Sequence, residues 1–314
     1  MKLTTFTTIL AVLAAPALAE TRITYKSAKT GTAYYQMGVE ISEAMKKGTE
    51  GAVIVTLEES QGSVQNVMEV RARGADYVFT TPPALIVAAQ KATGPFDGKG
   101  DPAFDGIRAL FPIPSLTMHF VMAGDGGANG MARLEGKTIL LGAGSFGATE
   151  GEKYLDLFGL TGKVTIADSE LSNAVAALKN GQIDGFVTAG SYPAPNVIEA
   201  AASTAVSIVS MTEDQVAASK RTRVVIPAGT YAGQDSDIVT TSLPVVAYAT
   251  DKMDDDTAYQ LTKTFWEQKA AMSGTSPWWG AVTADMLSNV TTKVHPGAAR
   301  YYGEIGVTLS EPQM

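Results

Sequence analysis

Two loops of this chain are rich in glycine and hydroxyl residues, in places where such residues can bind an anion. Residues 27–32 read SAKTGT and residues 142–147 read GAGSFG, and a helical pattern follows each loop. Small residues before a helix leave backbone N–H groups uncovered, and the helix dipole concentrates about half a positive charge there. The hydroxyls of Ser145 and Thr149 can add further donors. The two loops therefore predict the binding of a carboxylate or a phosphate.

The second loop also has the G-x-G-x-x-G spacing of a dinucleotide-binding fingerprint. In nicotinamide enzymes this spacing joins a strand to a helix, and a ribose-binding carboxylate, here Asp168, follows about twenty residues later. A lone fingerprint is weak because its false-positive rate is high. The chain has only two histidines, His119 and His295, and neither stands in a hydride-transfer pattern. We therefore favour an anion-binding loop without a cofactor over an exported dehydrogenase or hydrolase.

The other residues that could carry chemistry fit structural roles better. His119 lies in an apolar strand pattern, and His295 is expected to anchor a C-terminal turn. The tryptophans at 278–279 follow a proline and fit packing, whereas the acidic run at 254–256 is typical of a helix N-terminus and lacks the spacing of a calcium loop. The chain has no cysteine, so it has no thiol nucleophile and no disulfide. The sequence predicts no catalytic residue and no metal site.

The first nineteen residues have the features of a secretory signal peptide. They combine Lys2, an apolar stretch and the small-residue pattern at 17–19, which predicts cleavage after Ala19 and a periplasmic protein. No later stretch approaches the length of a transmembrane helix, so membrane insertion is not expected. The net charge is −8, and the loss of Lys2 makes it −9. An acidic surface argues against nucleic acid and anionic membranes as partners.

The two glycine-rich loops occur at equivalent places in two halves that share one order of elements. Strand-like and helical patterns alternate in each half, which is typical of parallel sheets covered by helices. The strand patterns lie at 22–26, 52–60 and 75–81 in the first half and at 137–141, 163–169 and 182–190 in the second. The helical patterns between the second-half strands lie at 150–159 and 170–181.

These patterns predict an α/β fold of two lobes, each a mixed, mostly parallel sheet flanked by helices. Ligands of open α/β sheets bind beyond the carboxyl ends of the strands, where both glycine-rich loops lie. We predict that lobe 1 begins with residues 20–115, that residues 116–228 form lobe 2, and that residues 229–314 cross back and complete lobe 1. The extended runs at 110–124 and 224–250 are the predicted hinges.

Seven stretches of the chain give a resemblance to a known family. The chain resembles a TAXI-type solute-binding protein, the extracytoplasmic component of one branch of the TRAP transporters. The matching stretches run in order from position 30 to position 306: TGTAYYQMG, SQGSVQNV, ATGPFDG, GAGSFGATE, LKNGQIDGFVTAG, IPAGTYAGQDSDI and HPGAARYYGEIG.

The resemblance implies a two-lobe periplasmic-binding-protein fold of the type II-like kind and no enzymatic activity. It implies that the protein captures a small anionic or zwitterionic metabolite and delivers it to a TRAP-type membrane permease driven by an ion gradient. The characterised ligands of the family lean towards glutamate, glutamine and dicarboxylates. The same lobes could instead supply ligand to a sensing system, and the sequence leaves that alternative open.

The resemblance also implies which residues contact the ligand, and it places them in both lobes. In lobe 1 they are Gly31, Thr32, Tyr34 or Tyr35, Gln61, Ser63, Thr80 and Thr81. In lobe 2 they are Gly144, Ser145, Ala148, Thr149, Thr188, Ala189 and Gly190. The resemblance leaves open which of the two tyrosines faces the ligand. Gln61 stands where the family usually has a glycine, and its amide adds a polar group to the predicted site.

Overall fold

A computed structural model describes residues 20–30, 32–126, 130–143 and 145–314, and the predicted signal peptide lies outside these residues. The strands are β1 (Thr21–Lys26), β2 (Val53–Glu58), β3 (Tyr77–Thr81), β4 (Ile107–Ala123), β5 (Thr138–Leu140), β6 (Thr165–Ala167), β7 (Gly185–Gly190), β8 (Val206–Ile208), β9 (Thr222–Ile226) and β10 (Ile238–Thr250). The helices are α1 (Ala33–Gly48), α2 (Ser63–Glu69), α3 (Pro83–Gln90), α4 (Phe146–Leu157), α5 (Ala174–Lys179), α6 (Pro195–Ser203), α7 (Glu213–Ser219), α8 (Asp255–Met272), α9 (Trp278–Ala281) and α10 (Pro296–Glu304).

The strands form one mixed sheet with the order β2-β1-β3-β10-β4-β7-β5-β6, while β8 pairs with β4 and β9 pairs with β10. Strand β1 is parallel to β2 and β3, and β5 is parallel to β6 and β7. Strands β4 and β10 are antiparallel to each other and to the neighbouring strand of each parallel set. The α/β class is confirmed, and the parallel pairs are those of the two predicted βαβ units.

Strands β4 and β10 are shared by both halves of the sheet. Residues 107–113 of β4, and again residues 116–117, pair with β10, and residues 117–122 pair with β7. The register of the β4–β10 pair shifts between Leu243 and Val245 and again between Ala247 and Tyr248. We use lobe 1 for β1–β3 with α1–α3 and α8–α10, and lobe 2 for β5–β9 with α4–α7. The division of the chain at residues 115 and 228 stays a prediction.

Three prolines lie in the middle of these shared strands. Pro112 and Pro114 belong to β4, and Pro244 belongs to β10 at the register shift. Proline has no backbone N–H to donate, so inside a sheet it occurs where the hydrogen-bond ladder is interrupted. The two shared strands are therefore weakly paired where they pass from one lobe to the other.

Helix α1 shows how the apolar pattern builds lobe 1. Met37, Ile41 and Met45 recur at helical spacing, and each is almost completely buried against the sheet. Lys46 and Lys47 lie in the last turn, where the helix dipole favours positive charge. The apolar spacing of the sequence therefore coincides with the buried face of this helix.

Helix α4 begins earlier than the sequence analysis predicts. The predicted helix covered residues 150–159, but α4 begins at Phe146, so part of the glycine-rich loop forms its first turn. The reason is a cap: the Ser145 Oγ accepts a hydrogen bond from the Ala148 N–H at 3.0 Å. A serine in this position satisfies a backbone N–H that has no partner inside the helix. The elements α3, α6, α7 and β8 were not predicted.

Both histidines have the structural roles expected of them. His119 is fully buried, with its Nε2 2.8 Å from the Tyr231 hydroxyl and its Nδ1 3.1 Å from the Thr117 carbonyl oxygen. Burial lowers the pKa of His119 to about 4, so the imidazole is neutral at pH 7. His295 caps α10, and its Nε2 lies 3.0 Å from the Met253 carbonyl oxygen.

A buried carboxylate connects α1 to the segment around α9. The Glu40 side chain accepts hydrogen bonds from the indole N–H groups of Trp278 and Trp279 at 2.8 and 3.0 Å, and from the Ser276 hydroxyl at 2.8 Å. The two indole rings stack with centroids 4.0 Å apart. The packing role predicted for the tryptophans is confirmed, and Asp254 caps α8 as its acidic run predicts.

Candidate functional site

The two glycine-rich loops line one cavity between the lobes. From lobe 1 and the shared strands the lining residues are Ser27, Ala28, Lys29, Thr32, Tyr34, Gln61, Gly62, Ser63, Thr80, Leu116 and Val245. From lobe 2 they are Ser145, Phe146, Gly147, Leu171 and Ala189. The cavity lies beyond the carboxyl ends of the parallel strands, which is where α/β sheets bind ligands.

The lobes touch each other around this cavity. The Lys29 Nζ donates to the Ala143 carbonyl oxygen at 3.3 Å and lies 3.5 Å from a carboxylate oxygen of Glu170. On another side, a Cβ atom built on Gly190 would lie 3.4 Å from the Cβ of Ala33. These contacts cross from lobe 1 to lobe 2, so the structure shows the lobes closed over the cavity.

The first loop is held by its own hydroxyl groups. The Thr32 Oγ1 accepts from the Tyr35 N–H at 3.3 Å, which caps α1, and donates to the Lys29 carbonyl oxygen at 2.7 Å. The Ser27 Oγ donates to the Tyr34 carbonyl oxygen at 2.6 Å. The donor hydrogens of both hydroxyls are therefore used inside the loop, and these residues shape the start of α1.

Tyr34, and not Tyr35, lines the cavity. Tyr34 is a buried residue of the lining, and its hydroxyl donates to the Pro114 carbonyl oxygen at 2.7 Å. Burial raises the pKa of Tyr34 well above its ordinary value. Tyr35 lies in a shallow groove on the other side of α1, with Ile54 and Leu57 of β2. Of the two tyrosines, Tyr34 is therefore the one that we propose as a ligand contact.

Asn66 positions the lobe 1 side of the cavity, and the sequence analysis missed it. It is completely buried on α2, and its amide donates to the carbonyl oxygens of Ser27 and Thr80, both at 2.8 Å. One side chain therefore ties α2 to the end of β1 and to the end of β3. Asn66 follows the pair Gly62 and Ser63 in the first turn of a short helix. This position was the feature from which the sequence could have predicted its role.

Thr80 lines the cavity at the end of β3, and only 4% of this residue is exposed. Ser63, at the first position of α2, lines the same region.

The lobe 2 side is formed by the first turn of α4 and the end of β7. Ser145 caps the helix, Phe146 occupies its first position, and Gly147 faces β7. A Cβ on Gly147 would lie 3.3 Å from the Ala189 nitrogen, closer than ordinary van der Waals contact. Glycine at this position therefore lets the start of α4 approach the strand.

Some predicted ligand contacts do not line the cavity. Thr81 and Thr188 are buried in the sheet, Ala148 is buried in α4, Thr149 is exposed on α4, and Gly190 faces Ala33 outside the lining. The alternation of side chains along a strand explains the two threonines, because neighbouring residues point to opposite faces. The predicted contacts Gly31 and Gly144 lie outside the described residues.

The apolar part of the lining was not predicted. Leu116 of β4 and Val245 of β10 come from the shared strands, and Phe146 and Leu171 come from lobe 2. Apolar residues such as Leu116 have the same sequence pattern as ordinary core residues, so the sequence gives no sign that they line a cavity. Lys29 was also missed, although it stands inside the SAKTGT loop.

The charge of the lining is positive. Lys29 is the only charged side chain among the lining residues that the structure describes. Asp168, the residue that a ribose would require, is exposed and does not line this cavity. No group of three or more histidine and carboxylate side chains within the described ranges is arranged to hold a metal ion. The described helices also include none that is long and apolar enough to span a membrane.

Comparison with known proteins gives one family and a set of similar folds. The model of the NMT1-like family matches residues 26–306. The periplasmic binding protein BugD aligns with a TM-score of 0.53 at 10% identity, over 92% of this chain and 98% of that protein. A structure described as a periplasmic transporter aligns with a TM-score of 0.52 at 12% identity, over 93% and 94% of the two chains. A protein of Bordetella bronchiseptica RB50 aligns with a TM-score of 0.50 at 16% identity, over 94% and 85%.

Proposed function

The chain belongs to the NMT1-like family and has the periplasmic-binding-protein fold, and from this premise we propose that it is a solute-binding protein. It captures a small carboxylate-bearing metabolite in the cavity between its lobes and delivers it to a transporter in the membrane. The fold supports a role in ligand binding. The carboxylate, the transporter and the periplasmic location are parts of the proposal.

One observation carries the proposal: the starts of two helices, one from each lobe, meet at one cavity between the lobes. Thr32 caps α1 and Ser145 caps α4, and both line the cavity. Each helix start concentrates partial positive charge, and the Lys29 ammonium group, which also pairs with Glu170, lines the same cavity. A carboxylate at this place would be attracted from both lobes, so its binding favours the closed arrangement.

The free energies expected from such hydrogen bonds are large enough for useful affinity. A hydrogen bond to a charged group contributes roughly 1.5–3 kcal/mol, so several of them exceed the cost of immobilising a small ligand. The main donors would be backbone N–H groups, the Lys29 ammonium group and the Thr80 hydroxyl. This differs from a site built mainly on the hydroxyls of Thr32 and Ser145, because both of those are engaged in caps.

The absence of catalytic machinery within the described lining agrees with a binding role. Neither histidine reaches the cavity, and the lining holds no carboxylate that could act as a base. We propose a TRAP-type permease of the TAXI branch as the partner, on the strength of the seven resembling stretches. Stimulation of uptake by the protein, in vesicles that contain such a permease, would test this partner.

A thermal-shift screen tests the binding role itself. The protein, purified after expression of the full chain, is heated with a panel of amino acids, monocarboxylates and dicarboxylates. A ligand at 100 times its dissociation constant adds about 2.7 kcal/mol to the free energy of unfolding. We expect at least one carboxylate to raise the melting temperature and the corresponding amide not to do so. A panel without any such shift would contradict the proposal.

A further inference from the structure

A second groove borders the cavity between the lobes, and we call it the outer groove. Four residues belong to the linings of both, namely Lys29, Thr32, Ser145 and Leu171. Glu170 lines the outer groove and not the cavity, and its side chain is 65% exposed, whereas that of Lys29 is 18% exposed. The cavity therefore meets the outer groove beside Lys29 and Glu170, and we call this place the mouth of the cavity.

An ion pair crosses between the lobes at this mouth. The Lys29 ammonium group of lobe 1 lies 3.5 Å from a carboxylate oxygen of Glu170 and donates to the Ala143 carbonyl oxygen at 3.3 Å, and both partners belong to lobe 2. All other ion pairs between described residues lie within one lobe or at the end of the shared strands. Within the described ranges, charge therefore joins lobe 1 to lobe 2 only at this place.

The backbone around each partner is fixed by its own lobe. In lobe 1 the Lys29 carbonyl oxygen accepts from the Thr32 hydroxyl at 2.7 Å and from the Thr32 N–H at 3.2 Å. In lobe 2 the Ala143 N–H donates to the carbonyl oxygen of Ser169, the residue before Glu170, at 2.9 Å. The two acceptors of the Lys29 ammonium group are thus held side by side. Closure of the lobes brings these groups together with little further ordering of the backbone, which keeps the entropic cost of the ion pair low.

The other contacts between the lobes depend on shape and not on charge. A Cβ atom built on Gly190 would lie 3.4 Å from the Cβ of Ala33, and one built on Gly62 would lie 3.6 Å from the Cβ of Phe146. Such contacts between small or apolar groups are insensitive to a change of charge at the mouth. A substitution that alters only the charge of the ion pair therefore tests its contribution separately from theirs.

We propose that Lys29 and Glu170 form a clasp, an ion pair that holds the lobes together at the mouth and slows the release of the ligand. Its two residues belong to different lobes, so the lobes cannot rotate apart without breaking it. An exposed ion pair changes an equilibrium by a factor of about 1.4–5, so the clasp shifts the balance between closed and open forms and leaves the protein able to open. The effect on release rests on the proposed binding function, whereas the effect on closure does not.

Two glutamates of the outer groove provide a matched test of release. Glu170→Gln breaks the ion pair, and Glu199→Gln removes the same charge from the same groove at a residue without an ion pair to any described residue. We expect the carboxylate that the thermal-shift screen identifies to leave Glu170→Gln about two- to fivefold faster in stopped-flow experiments, and to leave Glu199→Gln at the wild-type rate. A wild-type rate in Glu170→Gln, or equal acceleration in both variants, would overturn the clasp.

Spin labels test closure without any ligand. The chain has no cysteine, so Glu43→Cys on the exposed side of α1 and Ile198→Cys on the exposed side of α6 place one label in each lobe. Lys29→Glu puts two carboxylates at the mouth, and we expect it to lengthen the distance between the labels. The exchanged pair, Lys29→Glu with Glu170→Lys, should restore the original distance. An unchanged distance in Lys29→Glu, or no restoration in the exchanged pair, would overturn the clasp.

These experiments separate the clasp from the proposed function. A screen in which no carboxylate binds would contradict the proposed function, and the label distances would then decide whether the ion pair holds the lobes closed. Conversely, a carboxylate that binds and leaves Glu170→Gln at the wild-type rate would overturn the clasp and leave the binding role intact. Circular dichroism and the melting temperature of each variant show whether it is folded.

Discussion

A disulfide across the cleft would test whether the lobes close as the structure shows. Ala33 begins α1 in lobe 1 and Gly190 ends β7 in lobe 2, and the Cβ of the first lies 3.4 Å from a Cβ built on the second. Disulfides typically have their Cβ atoms about 3.5–4.5 Å apart. The pair Ala33→Cys and Gly190→Cys is therefore placed to bridge the lobes. The chain has no cysteine of its own, so no other disulfide can form within it.

The expected stabilisation follows from the size of the loop that the bond closes. The bridge encloses more than 100 residues, for which the chain-entropy model gives about 5 kcal/mol. In a protein of this size that corresponds to a rise of about 10 °C in the melting temperature. The added Cβ at position 190 contacts Ala33 and little else, so strain in the reduced protein should be small.

The assay compares the oxidised and the reduced forms of the double variant. Thiol titration gives the extent of bridging, differential scanning fluorimetry gives the melting temperature, and calorimetry gives ligand binding. Because a locked cleft blocks entry, protein oxidised without ligand should not bind the carboxylate that the thermal-shift screen identifies. Reduction should restore binding. Protein oxidised after loading should release its ligand far more slowly.

Three results would contradict this reasoning. The two thiols could stay unpaired under mild oxidation in the absence of any ligand, which would show that the lobes do not approach as described. The oxidised form could melt below the reduced form, which would show that the bond distorts the fold. The oxidised, empty protein could bind ligand as fast as the reduced one, which would place the site elsewhere. The single variants Ala33→Cys and Gly190→Cys are the controls for effects of each substitution alone.

Three further predictions concern other parts of the molecule. Ser145→Trp should abolish ligand binding in calorimetry because the indole fills the cavity, while the lost cap lowers the free energy of unfolding by only about 1 kcal/mol. Glu40→Ala should lower it by roughly 3–5 kcal/mol in urea denaturation, because two buried indole N–H groups lose their acceptor, and Glu40→Gln should restore part of it. His119 has a folded-state pKa of about 4, below its unfolded value of about 6.5, so the unfolded chain binds more protons between these values. Stability should therefore fall by about 3 kcal/mol as the pH drops from 6.5 to 4, and His119→Gln should lose much of this dependence.

The sequence was sufficient for the repeated part of the fold. Alternating strand and helix patterns predicted the two parallel sets β1–β3 and β5–β7, because each buries its apolar residues at a regular spacing. The glycine-rich loops were also located correctly at the cavity, since both precede helices that start with a hydroxyl cap. These features depend on residues that are close together in the chain, so the sequence alone can predict them.

The sequence was less informative where the site depends on residues from distant parts of the chain. Leu116 and Val245 reach the cavity only because β4 and β10 pair across more than 100 residues, and neither differs from ordinary core in composition. Thr80 and Thr81 were both predicted as contacts, but the pleat of β3 directs only Thr80 to the cavity. The role of Lys29 as the charged residue of the site is visible only in the structure, because the sequence does not show that the other described lining residues are uncharged.

The prolines of the two shared strands have a consequence for how the molecule moves. Pro112, Pro114 and Pro244 cluster where the pairing of β4 and β10 shifts register, and the strands are paired on either side of this place. Two antiparallel strands that stay bonded at both ends resist sliding, but they can flex at an interrupted middle. We therefore expect the two lobes to rotate apart about a hinge formed by the shared strands β4 and β10. Every ligand would then enter from the same open edge, opposite these prolines.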